Sequence, residues 1–139
     1  MNKKASDRLI EVLFPKKKFK EYLERFKIQS LKKAEKSVLE KLFIRIVEDF
    51  MKGKIGFDEF SSISNYLWWH GGVMAGKENE DKEFYNILQQ AGELSFYIRS
   101  ESEDARRLSL SVLNQVLGYY KRLSKRLLKQ NCINTPDNL

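Results

Sequence analysis

From Ala105 to Leu127 the apolar positions are Ala105, Leu108, Val112, Val116, Tyr119, Leu123 and Leu127, at steps of 3, 4, 4, 3, 4 and 4. A period near 3.6 held over that length suits one regular structure, an amphipathic α-helix. It does not suit a strand, whose faces alternate every second residue. Ser100 or Ser102 is placed to cap this helix, and Glu103 and Asp104 favour its positive N-terminal dipole. The spacing predicts that it runs to about Lys129, with Asn131 to Leu139 a frayed tail carrying Pro136.

The same period governs the rest of the chain. Ser6 to Phe14 reads as a short helix stopped at Pro15. Lys16 to Lys27 reads as a second, with Phe19, Tyr22, Leu23 and Phe26 on one side and lysines on the other. Ser30 is the expected N-cap of a long helix whose stripe runs through Leu31, Ala34, Val38, Leu42, Ile46 and Phe50, flanked by Leu39, Phe43 and Val47. Gly53 closes it in the manner of a C′ glycine with positive φ. Phe57 to Trp69 is a further helix, expected to stop at His70-Gly71-Gly72 and to give way to a mobile polar connection through Gly76 to Asn79. Phe84 to Ile98 is helical again. No segment alternates strictly and no period of 20–50 residues repeats. The expectation is an all-α fold: a single helical bundle over residues 1–130, with four longer helices and one or two short N-terminal ones.

A length of 139 residues is that of one ordinary domain. Cys132 is the only cysteine, which excludes a disulfide scaffold and fits a reducing compartment. The basic N-terminus is not followed by an unbroken apolar run, and no stretch of about 18 apolar residues exists. The sequence therefore predicts a cytoplasmic protein with no membrane partner.

Charge is divided along the chain. Residues 1–36 carry a net +7, residues 37–105 a net −6 and residues 106–139 a net +6, for +7 in all. The basic residues cluster at Lys16, Lys17, Lys18 and Lys20 near the start, and at Lys121, Arg122, Lys125, Arg126 and Lys129 near the end. A solvated helix face is the ordinary use of such a run. The alternative is a phosphate-binding surface, formed if the last helix packs beside the first lysine run. The acidic middle also admits attraction between copies of the chain, so a homo-oligomer is open.

Several motifs imitate catalytic or ligand sites. Glu48 to Glu59 has the glycine and final glutamate of an EF-hand loop, but Phe50 and Lys52 stand where calcium needs oxygen ligands. A helix–glycine–helix turn with Ile55 and Phe57 as core plugs accounts for it. Gly71-Gly72-Val73-Met74-Ala75-Gly76-Lys77 has the spacing of a phosphate-binding loop, yet Glu78 replaces the Ser or Thr that holds magnesium, and no strand precedes it. His70 is the only histidine, and no nucleophile–base pair accompanies it, so neither zinc ligation nor a catalytic triad is predicted. Glu48-Asp49 and Asp58-Glu59 are sequence neighbours, which do not face one another on a helix. No enzyme activity, metal or cofactor is expected.

The most unusual local composition is Tyr66, Trp68, Trp69 and His70 running into two glycines. Adjacent helical residues point about 100° apart, so the two tryptophans cannot share one core. One is expected inside and the other on a seam or at the surface, where it would suit a binding hot spot.

The stretch Phe50-Met51-Lys52-Gly53-Lys54-Ile55-Gly56-Phe57-Asp58-Glu59-Phe60 resembles the helix–turn–helix entry of colicin-D-type bacteriocin immunity proteins, small helical proteins that block a toxin by binding it. The resemblance covers eleven residues and is mostly a turn pattern. It implies a toxin-neutralising protein whose contact is centred on the acidic middle, although an inhibitor of an RNA-cutting site should be acidic and this chain is +7 overall. The residues themselves favour a non-enzymatic helical interaction or adaptor protein, using Tyr66 to His70 and the basic helix ends. A protein partner and a nucleic-acid backbone are both open at this point.

Overall fold

The computed structural model describes residues 15–99 and 103–134. They form helices α1 (Lys16–Arg25), α2 (Lys36–Met51), α3 (Phe57–Trp68), α4 (Lys82–Arg99) and α5 (Glu103–Asn134), with a π-helical turn (Trp69–Val73) prolonging α3. No strand occurs among the described residues, and the fold is all-α. The expected helix at Ser6 to Phe14 and the caps Ser100 and Ser102 lie outside the described residues.

Local chemistry sets several helix ends. Gly53 follows α2 at φ +77°, the left-handed conformation expected of it. The Glu59 carboxylate reaches back to accept the Gly56 N–H at 2.8 Å, satisfying a free donor at the start of α3. Asp81 does the same for α4, accepting the Phe84 N–H at 3.1 Å.

Consecutive helices from α2 to α5 run antiparallel, and α5 returns against α2. Phe50 lies 5.8 Å from Phe57 at one end of the α2–α3 pair. Ser61 donates to the Gly92 carbonyl between α3 and α4 at 2.9 Å. The Phe84 and Tyr119 rings meet at 6.3 Å between α4 and α5. Tyr120 of α5 donates to Glu48 of α2 at 3.1 Å. Phe43 sits inside this arrangement, fully buried, 6.5 Å from Phe60 and 6.2 Å from Phe84. The α1 helix docks from outside with Phe19 and Tyr22, its two buried side chains.

Three boundaries differ from the sequence reading by more than two residues. The long helix begins at Lys36, with Leu31–Lys33 forming a separate turn. The Ala34 carbonyl, an acceptor in a continuous helix, instead takes the Lys77 ammonium at 2.8 Å, and Glu35 is extended. The α3 helix does not stop at His70-Gly71-Gly72. It widens into the π-turn, with both glycines buried. A Cβ on Gly72 would stand 2.7 Å from the Tyr85 ring, so the absent side chain is what admits Tyr85. The connection beyond is a series of bonded turns, Lys77 N–H to the Gly72 carbonyl at 2.9 Å and Glu80 N–H to the Lys77 carbonyl at 3.0 Å. Finally, α5 continues past Lys129 to Asn134, taking in the first part of the expected tail.

The close approach of α4 to α3 at Gly92 gives a paired test. A Cβ at Gly92 would lie 2.7 Å from the Asn65 backbone, whereas one at Gly118 meets nothing within 4 Å. Gly92→Ala is expected to lower unfolding stability by about 1–3 kcal/mol through overpacking. Gly118→Ala is expected to raise it by about 0.5–1 kcal/mol through helix propensity. Urea unfolding midpoints of the two variants check both signs.

Candidate functional site

The charge division along the chain is matched in space by contacts between its parts. Lys18 pairs with Glu59 at 2.8 Å, Lys36 with Asp81 at 3.0 Å and Arg122 with Glu83 at 3.4 Å. Arg126 pairs with Glu40, whose side chain is only 5% exposed. Each of these pairs ties a cation of a basic end to a carboxylate of the acidic middle. Arg122 also lies over the Tyr119 ring, 5.6 Å from its centroid.

These pairs divide the expected phosphate-binding residues. Lys18, Arg122 and Arg126 are engaged by carboxylates. Lys121, Lys125 and Lys129 are exposed and have no ion pair among the described residues. They follow one another at one-turn intervals on the side of α5 away from buried Val116, Tyr119 and Leu123, spanning about 12 Å of helix. Lys16, Lys17 and Lys20 are also exposed. They do not join the α5 row. Lys18 is anchored where α3 begins, while Arg122 and Arg126 are anchored where α4 and α2 begin. The two runs are therefore held by different carboxylates, and no hydrogen bond or ion pair among the described residues joins them.

The aromatic group is likewise divided. Tyr66 packs edge-on against Phe19 at 4.9 Å and helps to fasten α1. His70 lies 4.0 Å from the Tyr66 ring and is half-buried. Trp68 is half-buried against the core, and Trp69, 5.8 Å from it, is 44% exposed. Met74, also exposed, closes the π-turn through its N–H on the Trp69 carbonyl at 2.8 Å. Trp69 and Met74 are thus the exposed large apolar side chains at the two ends of the π-turn.

The carboxylates are directed apart. Glu48 accepts from Tyr120 of α5, while its neighbour Asp49 accepts from Tyr22 of α1 at 2.6 Å. Glu59 caps α3. Among the described residues, no group of three His, Cys, Asp or Glu side chains is placed to hold a metal ion. No helix among them is long and apolar enough to cross a membrane. The Tyr22–Asp49–Arg45 cluster is not among the sites that the sequence suggests. The i, i+4 spacing of Arg45 and Asp49 is a local signal, but nothing local ties either to Tyr22.

Neighbours also shift protonation. Burial works against the Asp81 carboxylate, but the Phe84 N–H and the Lys36 ammonium prevail and hold it below its ordinary 3.8. For Glu59, burial is likewise outweighed, by Lys18 and the Gly56 N–H, leaving it below its ordinary 4.5. Burial and the Asp49 carboxylate push the Tyr22 hydroxyl far above its usual range.

The chain matches no protein-family model, no curated protein and no solved structure at a significant level.

Depressed carboxyl values fix the sign of an acid effect. The stabilisation from Asp81 and Glu59 is complete above their ordinary values of 3.8 and 4.5, and is lost as pH falls through the lower folded-state values. Denaturant midpoints measured from pH 7 downwards are expected to fall across that range. Asp81→Asn keeps the cap but loses the Lys36 ion pair, and should flatten the fall and lower stability at pH 7 by about 0.2–1 kcal/mol.

Proposed function

We propose that this chain is a non-enzymatic helical interaction protein that contacts a nucleic-acid backbone with the C-terminal half of α5. The observation that carries this reading is the row Lys121, Lys125 and Lys129, exposed and without a carboxylate partner among the described residues. Arg122 and Arg126, alongside it, are turned to Glu83 and Glu40. A row of free ammonium groups along one helix face suits a line of phosphates, and such contact is strong at low salt and poorly sequence-specific. Exposed Trp69 offers a face on which an unpaired base can stack. The separate directions of Glu48 and Asp49 support a binding role over acid–base chemistry.

Trp69 also favours a second reading, a protein partner held at an aromatic hot spot. A toxin-neutralising role of that kind would need the acidic middle as its contact surface. Glu40, Glu59, Asp81 and Glu83 of that region are engaged by the chain's own cations.

Fluorescence anisotropy with labelled single-stranded and duplex oligonucleotides, at about 50 and 200 mM salt, tests the proposal. Binding is expected at the lower salt and strong weakening at the higher. Changing Lys121, Lys125 and Lys129 together to Gln should reduce the slope of log affinity against log salt by roughly two to three. Trp69→Ala should weaken single-strand binding by about 1–3 kcal/mol. Unchanged affinity in the triple variant would sink the nucleic-acid reading and leave Trp69 as the place to seek a protein partner.

A further inference from the structure

We propose that the cleft between the end of α3 and the first half of α4 seats one unpaired nucleobase, with adenine preferred. This rests on the single-strand contact proposed above and names the part of the strand that the protein reads. The cleft is lined by Trp68 of α3, by Glu78 and Asn79 of the turns that follow, and by Lys82, Asn86 and Gln89 of α4. It encloses about 180 Å³. That is the volume of about six waters in the liquid, room for a single base.

The polar lining is mostly of one kind. The Asn79 and Asn86 side chains are exposed and make no hydrogen bond among the described residues. Gln89 makes one long bond, from its amide nitrogen to Glu93 at 3.4 Å. Three carboxamides therefore gather around the half-buried ring of Trp68 with most of their donors and acceptors unused. An aromatic face with convergent hydrogen-bonding groups suits a flat ligand whose edge carries donors and acceptors. Glu78 and Lys82 have opposite charges, so the cleft is neutral and suits a part of the ligand without charge. A base meets that condition and a phosphate does not. The exposed ring of Trp69 lies 5.8 Å from that of Trp68, so a strand with one base on Trp69 has its next base within reach of the cleft.

A carboxamide presents an N–H donor beside a C=O acceptor. Adenine answers that pair on both of its free edges, with the N6 amino group beside N1 on one and beside N7 on the other. Guanine, cytosine and thymine place a donor beside an acceptor only on the edge used in base pairing. Asn79 comes from the turns and Asn86 and Gln89 from α4, so carboxamides approach from two elements. Stacking on Trp68 tolerates any base, and the carboxamides then carry the preference. The buried Tyr85 hydroxyl is not required.

Fluorescence anisotropy at about 50 mM salt, with labelled abasic strands carrying one adenine, one thymine or no base, reads the preference. The adenine strand is expected to bind at least about fivefold more tightly than the thymine strand. Asn79→Ala with Asn86→Ala, both at exposed positions, should erase that ratio and leave the salt slope in place. In the Trp69→Phe chain, where Trp68 is the remaining tryptophan, free adenosine should quench the fluorescence with half-saturation at about 1–5 mM. Adenosine has no phosphate, so this readout is independent of the lysine row. Quenching by adenosine with no binding of any strand would uphold the cleft and sink the backbone contact. Equal binding of the three strands without quenching at about 10 mM adenosine would overturn the cleft and leave the backbone contact standing. An adenine preference that survives the double variant, or quenching by methyl glucoside in place of adenosine, would also overturn it, the latter in favour of a sugar site.

Discussion

Four helices depend on one aromatic contact, the meeting of Phe43 and Phe84. Phe43 reaches from α2 to Phe60 of α3, and Phe84 reaches from α4 to Tyr119 of α5. Burying such a ring is worth about 1.5–3 kcal/mol, against about 0–1 kcal/mol for an exposed charge pair. Because Phe43 and Phe84 meet edge to face while packing against Phe60 and Tyr119, the helices that carry them are fixed in rotation as well as in distance. That rotation decides which α5 residues face inward and leaves Lys121, Lys125 and Lys129 outside.

The ion pairs act on that frame and do not replace it. Exposed pairs such as Arg122 with Glu83 contribute little individually. Arg126 with Glu40 differs, because a buried carboxylate left unpaired is costly. The pairing also explains why a chain with basic ends and an acidic middle need not turn those charges outward. What is left after internal pairing is a smaller and more specific surface than the charge counts imply.

Much of the helical layout was legible. The seven-position stripe of α5, the stripe of α2 and the closing Gly53 are local patterns, and the helices follow them. The break before Lys36 was not legible, because the group that takes the Ala34 carbonyl is Lys77, 43 residues away. The π-turn was hidden for a similar reason. Two glycines read locally as a stop, but here they are the space that Leu39 and Tyr85 require. Of the candidate site, the basic runs and the exposed tryptophan could be proposed from sequence; the pairing of Lys18, Arg122 and Arg126 with distant carboxylates could not.

The sequence by itself determined that this protein is helical and where most of its apolar faces lie, because periodicity, caps and helix-closing glycines act over a few residues. Only the tertiary structure decided which charges are free. Whether Lys18 or Lys121 has a carboxylate beside it depends on residues far away along the chain, brought near by the packing of the core. The cleft at Trp68 belongs to the same class: its residues come from α3, α4 and the turns between them, and no local pattern records that they meet.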